Sequence, residues 1–219
     1  QSGSTSQDTS APQSASVLLS DQSVPAASQP KTYRDNTPVC LVPTADGTAE
    51  THNDVASIDY SHSQDGYVCA DYTGTCPKVK LRITGPDAIV YTYDLHENGY
   101  ETFPLSSGSG SYEITIYENI SGQNYSTCLY EKIEVSIADE FAPYLYPNQY
   151  VNFNADSKTV AKGSELVAAA TTDLEAITNI YDYITASISY DYDMAADPPT
   201  GYTTDIDATL ASGKGICLD

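Results

Sequence analysis

The sequence predicts an α+β protein in which an antiparallel β-sandwich precedes a shorter helical region. Three observations carry this. Between about 53 and 138, short β-branched and tyrosine-rich runs alternate with turn signals. From about 163 the apolar residues recur at helical spacing. A proline-punctuated stretch, "DEFAPYLYPNQYVNFNADSKTVAK", separates the two periods. The 219 residues leave room for one large domain or two small ones.

Residues 1–38 are rich in Ser, Gln, Ala and Pro, as in "QSGSTSQDTSAPQSASV". Such a composition buries too little apolar surface to offset its ordering entropy, so a disordered tether is expected. Tethers of this kind often separate a domain from a cell-surface anchor, so the expected location is extracellular, secreted or surface-anchored. The chain shows no initiator methionine and no charged segment followed by an apolar one, as expected of a processed or trimmed chain. No run approaches the ~18 apolar residues of a membrane span.

The β-domain is expected over 39–140. Its runs are "VASIDYS", "GYVCADY", "KVKLRITG", "AIVYTYDL", "SYEITIYEN" and "STCLYEKIEVSI", separated by turn signals such as "SQDG", "TGPD", "HENG" and "SSGSGS". Lys78–Val79–Lys80–Leu81–Arg82–Ile83 alternates charged with aliphatic residues, one face for water and one for a core. Six or seven strands at this spacing suggest an immunoglobulin-like sandwich. A linker over 141–162 follows. Within 163–219, "GSELVAAA" is expected to be a short helix capped by Ser164. In "TTDLEAITNIYDYITASISYDYD", Thr172 and Glu175 have capping-box spacing. Leu174, Ile177, Tyr181, Ile184 and Ile188 then form an apolar stripe expected to pack into a core. "YDYD" and the Pro198–Pro199 pair are expected to end that helix.

Thirty acidic against nine basic side chains give a net charge of −21. Such a polyanion is repelled by nucleic acid and by anionic lipid, which excludes both as expected partners. Nineteen tyrosines stand against three phenylalanines and no tryptophan. Tyrosine suits half-wet sheet faces, and that reading is preferred here to a carbohydrate-binding platform. Cys40, Cys69, Cys76 and Cys128 form an even set compatible with two disulfides in any of three pairings, with Cys69 and Cys76 close enough in sequence to bridge a hairpin. Cys217 is left over, a candidate reactive thiol.

Cys217 ends the run "SGKGIC". Gly213 and Gly215 permit positive φ and close backbone approach, so the chain can turn sharply before the cysteine. At the start of a helix, a thiol facing unsatisfied N–H groups falls from about 8.5 to roughly 3.5–7.5, most of all beside an imidazolium. Those N–H groups can also contribute to an oxyanion hole. "YDYDMAAD" offers Asp191, Asp193 and Asp197, but it lacks the glycine and glutamate of a calcium loop and reads as a solvated acidic loop. Asn119–Ile120–Ser121 is formally a glycosylation acceptor, meaningful only in a eukaryotic secretory host.

The order of "AITNIYDYITASISYDYD" and "DATLASGKGICLD" resembles the transglutaminase-like superfamily of papain-like thiol enzymes. The matching residues are Tyr190–Asp191–Tyr192 and Gly213–Lys214–Gly215–Ile216–Cys217, about the last quarter of the chain. A softer similarity links the β-region and "YLYPNQYVNF" to bacterial extracellular members. The resemblance implies that 163–219 is the N-terminal part of a transglutaminase-like domain, the first helices of a truncated papain-like fold. It implies Cys217 as nucleophile, protein or peptide substrates (cell-wall-associated ones among them), and no cofactor and no metal. It also implies a catalytic His and an Asp or Asn after the cysteine. His52, His62 and His96 all precede Cys217 and read as solvated. The chain is therefore expected to be catalytically incomplete by itself. The rival expectation is a non-catalytic cell-surface binding or adhesion module.

Overall fold

The computed structural model describes residues 34–96 and 99–219, so the expected tether lies outside the described residues up to position 33. The fold is α+β, with antiparallel sheets ahead of four α-helices among the described residues. All six expected strand runs form strands: β2 (Ala56–Asp59), β3 (Tyr67–Tyr72), β4 (Val79–Thr84), β5 (Val90–Leu95), β7 (Gly110–Ser121) and β8 (Asn124–Val135). Two more, β1 (Glu50–His52) and β6 (Glu101–Pro104), are too short to display a period of two in the sequence. One sheet has the order β1-β2-β3-β6 and the other β5-β4-β7-β8, every pairing antiparallel.

The alternation in β4 is realised: Val79, Leu81 and Ile83 are buried while Lys80, Arg82 and Thr84 are not. Ile58, Val68 and Phe103 from the first sheet meet Leu81, Ile83, Ile114 and Ile116 from the second in one shared core. The expectation of tyrosines on wet faces is only partly right. Tyr67, Tyr72, Tyr93 and Tyr112 are buried. Burial is tolerated where the hydroxyl finds a partner: that of Tyr112 reaches the carbonyls of Gly108 at 2.8 Å and Leu105 at 3.2 Å.

The hairpin bridge between Cys69 and Cys76 does not form, and all five cysteines are free thiols. Cys69 lies mid-strand with its sulfur between the Thr44 carbonyl (3.6 Å) and the Thr102 hydroxyl (3.7 Å), whereas Cys76 directs its own to the Lys78 carbonyl at 3.3 Å. The two thiols answer to different neighbours.

The linker is pinned to the sheets. Pro143 packs on Gly66, whose φ of 85° and lack of a Cβ both matter, since a Cβ there would come within 2.4 Å of the proline ring. Gln149 donates to the Asp94 carbonyl and the Glu101 carboxylate at 2.6 and 2.8 Å. The tether's last residues lie against the helical region: Arg34 pairs with Asp173 at 2.7 Å, and Asn36 donates to the Ala170 carbonyl at 3.0 Å.

The helices are α1 (Lys158–Val167), α2 (Asp173–Ser187), α3 (Tyr192–Ala196) and α4 (Ile206–Ser212). The expected cap at Ser164 is corrected, because the N-cap position is Ser157, seven residues earlier, and α1 contains Gly163 and Ser164. Asp207 of α4 accepts the N–H groups of Lys158 and Thr159, both at 2.9 Å, and so supplies the α1 cap from a distant part of the chain. Half of the capping box at α2 forms: Thr172 accepts the Glu175 N–H at 3.2 Å, but the Glu175 carboxylate accepts the N–H of Thr171, one residue before the cap, at 2.7 Å. The stripe on α2 is not buried. Leu174, Ile177, Tyr181 and Ile184 are 73, 64, 65 and 50 % exposed. The helix instead packs through Ala176 against Val167 and Ala170. It ends at Ser187, ahead of both "YDYD" and the proline pair, because the chain there becomes extended and joins a strand pair. No described helix is long and apolar enough to cross a membrane.

Candidate functional site

Two short segments meet after α2 and α4. β9 (Ser189–Tyr190) and β10 (Lys214–Gly215) pair in parallel, with Lys214 opposite Ser189 and Gly215 opposite Tyr190. The Ser189 N–H donates to the Gly213 carbonyl and the Asp191 N–H to the Gly215 carbonyl, both at 2.8 Å. The two phrases that carry the family resemblance are thus neighbours in space. No spacing rule announces a two-residue parallel ladder, so the sequence held the phrases but not their contact.

The glycines act as the sequence suggests, each by a different route. Gly213 ends α4 with φ 65°, its N–H bonded to the Thr209 carbonyl at 3.0 Å. A Cβ on it would press to 3.0 Å from the Ser187 carbonyl. Gly215 needs no positive φ, but a Cβ would come within 3.1 Å of Thr209 and of Asp219. A side chain on Gly213 would press on the end of α2, and one on Gly215 would crowd α4 and the Asp219 turn.

Cys217 follows in an exposed turn closed by the Asp219 N–H on the Ile216 carbonyl at 3.1 Å. The turn is held by residues that the sequence did not single out. The Asp219 carboxylate accepts the Ile216 N–H at 2.8 Å and the Tyr202 hydroxyl at 2.5 Å. That bond, with burial second, pushes the Tyr202 hydroxyl up to about 12, so it stays a neutral donor. Beside the turn is a cavity of about 480 Å³ lined by Ile184, Ile188, Tyr190, Leu210 and Ile216 among others, largely apolar and continuous with the exposed stripe of α2.

Asp191 is an N-cap, accepting the Met194 N–H at 3.0 Å at the start of α3. Asp205 caps α4 in the same way through Ala208 at 2.9 Å. The histidines are engaged elsewhere: His52 beside Glu50, His62 between Asp46 and Asp65, and His96 on Glu101 at 3.1 Å. Among the described residues no histidine contact reaches Cys217. The arrangement presents an accessible thiol on a fixed turn, next to an apolar cleft. No family model, curated protein or solved structure matches this chain.

Proposed function

We propose that this chain belongs to an extracellular transglutaminase-like protein, with an immunoglobulin-like sandwich ahead of a papain-like thiol domain. In the complete protein, Cys217 attacks a carboxamide or peptide carbonyl. The amine leaves with a proton delivered by an imidazolium, and the acyl group stays on sulfur as a thioester. A second amine gives transfer, and water gives hydrolysis. The exclusion of water from the site decides between them. The imidazole comes from polypeptide outside this sequence.

One observation carries the reading: the parallel pairing of Ser189–Tyr190 with Lys214–Gly215, which sets Cys217 two residues beyond the ladder. The open stripe of α2 and the adjoining cleft add support, since an apolar face of that width is ordinarily covered by further structure. The rival, a non-catalytic surface-binding module, is favoured by the engagement of all three histidines away from Cys217.

The test is iodoacetamide labelling of the full-length gene product at pH 6, read by peptide mass spectrometry. The thiol-enzyme reading expects Cys217 to label first and Cys217→Ala to abolish amide turnover. Labelling of Cys217 only near pH 8.5, about the ordinary thiol value, or turnover that survives Cys217→Ala, rejects it.

A further inference from the structure

The β3–β4 connection and the β7–β8 hairpin converge at one end of the core. Tyr72, the last residue of β3, donates its hydroxyl hydrogen to the Glu118 carboxylate of β7. The same oxygen accepts the Cys76 N–H at 3.2 Å, which fixes Cys76 beside Glu118. The Cys76 sulfur lies 3.6 Å from the Asn119 carbonyl oxygen, against the β7 backbone.

Cys128 approaches the same place from β8. Ser126 is opposite Glu118 and Thr127 opposite Tyr117, but Leu129 is opposite Ile116. Cys128 is therefore the extra residue of a β-bulge, without a cross-strand partner and free of the strict alternation of its neighbours. Its side chain packs on the same buried cluster as Cys76. The Asn53 amide holds it there, donating to the Cys128 carbonyl at 2.9 Å and to its sulfur at 3.8 Å. The remaining cysteines are apart: Cys69 sits between Thr44 and Thr102, Cys40 near Val160 of α1, and Cys217 on its exposed turn.

We infer that Cys76 and Cys128 are an oxidisable dithiol pair, which a small-molecule disulfide closes into a cross-link between the β3–β4 connection and the β7–β8 hairpin. The Cys76 thiolate attacks one sulfur of the reagent and expels a thiolate. The Cys128 thiolate then attacks the Cys76 sulfur of the mixed disulfide and expels the second. Two cysteine thiols become one disulfide, the reagent becomes two thiols, and those thiols carry away both protons. Burial, reinforced by Glu118 and by Cys76, holds the Cys128 thiol above its ordinary value, so the closing step is favoured by an alkaline medium. Cys69 is no competitor, since burial pushes its thiol up to about 11. The cross-link would join the place where the chain passes from one sheet to the other to the far strand of the second sheet, and it would close a loop of about fifty residues.

The experiment oxidises the reduced chain with glutathione disulfide at pH 8, denatures it, alkylates the remaining thiols, and maps peptides without reduction. The expected map has one cross-linked peptide pair, Cys76 with Cys128, an alkylated Cys69, and Cys40 and Cys217 unpaired, either alkylated or carrying glutathione. The oxidised chain should melt roughly 5–10 °C higher than the reduced one, and dithiothreitol should reverse the difference. Recovery of Cys76 and Cys128 alkylated or as glutathione adducts overturns the inference, as does pairing with other cysteines in comparable yield. Cys128→Ser should lose the rise in melting temperature on oxidation, and its persistence also overturns the inference. Cys76→Ser, on a connecting segment, repeats that test should the strand variant fail to fold.

Discussion

At the scale of single residues, His62 is the most informative side chain in the β-region. Its Nδ1 lies 2.9 Å from Asp65 and its Nε2 2.9 Å from Asp46, while its ring stacks on Tyr67 with centroids 5.2 Å apart. Two carboxylates facing two ring nitrogens are satisfied together only by an imidazolium, in which both nitrogens donate. The hydrogen bond to Asp65 is the leading cause that raises the pKa of His62, burial opposes it, and Asp46 adds to it. The folded value thus exceeds the unfolded value of about 6.5. The stabilisation is complete below that pH and fades as pH rises through the raised value. Asp46, lowered by Thr44 first and by His62 second, brings a second limb: its stabilisation is lost as pH falls through its lowered value. His62→Gln should therefore melt roughly 1–3 °C below the parent near pH 5.5, and the gap should close by pH 8.5. A gap of constant size across that range would remove the imidazolium from the account. The sequence offered Asp65 three places on, but Asp46, sixteen places back, comes near only because the loop before β1 folds over the turn after β2. Tyr112 was illegible for the same reason, since the carbonyls that make its burial tolerable belong to a turn ahead of its strand.

At the scale of elements, helix starts divide cleanly into readable and unreadable. The α2 start uses Thr172 and Glu175, three residues apart, and a local rule finds it. The α1 start is misplaced in the sequence because its own N-cap, Ser157, makes no capping bond. Asp207 does that work from forty-nine residues away and also accepts the Thr159 hydroxyl at 2.8 Å. The backbone N–H groups of Lys158 and Thr159 are the main causes that hold the Asp207 carboxyl below its usual range. One carboxylate therefore joins α1 to α4 and, through α4, to the Gly213 turn that precedes Cys217. Asp207→Ala should lower the melting temperature by roughly 2–4 °C at pH 7 and loosen the β9–β10 pair, read as faster exchange of the Ser189 and Asp191 amides. The loss should vanish as pH falls through the lowered pKa of Asp207, where the parent loses the same contact. An Asp207→Ala chain with unchanged amide exchange at Ser189 would show that α4 is held without this bridge. Periodicity likewise named an apolar stripe on α2, but the side that packs is the one that carries Ala176. It could not say what covers the stripe, because amphipathicity names a face and not its partner.

At the scale of the whole molecule, burial is divided unequally. Among the described residues, the two sheets share a cluster of eighteen buried side chains, whereas α1 and α2 share one of three: Val167, Ala170 and Ala176. Apolar burial contributes about 25 cal/mol per Å², so the sheets carry most of the stabilising area, and the helices are held to one another by caps and joined to the sheets through the pinned linker. The linker contacts combine hydrogen bonds, Gln149 on Asp94 and Glu101 and the Thr204 hydroxyl on the Tyr150 carbonyl, with the rings of Tyr146 and Tyr150 against Tyr67 and Tyr93. Regions with few buried apolar contacts open at lower free energy than the core does. Hydrogen–deuterium exchange followed by mass spectrometry should then show peptides from β3, β4 and β7 protected longest. Peptides from α2 should exchange by local opening at least tenfold sooner, equivalent to about 1.4 kcal/mol. Ile177→Lys, on the open side of α2, should leave the sheet protection unchanged, whereas Phe103→Ala, in the shared core, should collapse it, since such truncations cost about 3–5 kcal/mol. Equal protection of α2 and β4 would mean that the helical region is held by more than the cluster of three. Its exposed stripe would then be an ordinary surface and no longer a face awaiting cover, and one of the supports for reading Cys217 as part of a larger thiol site would go with it.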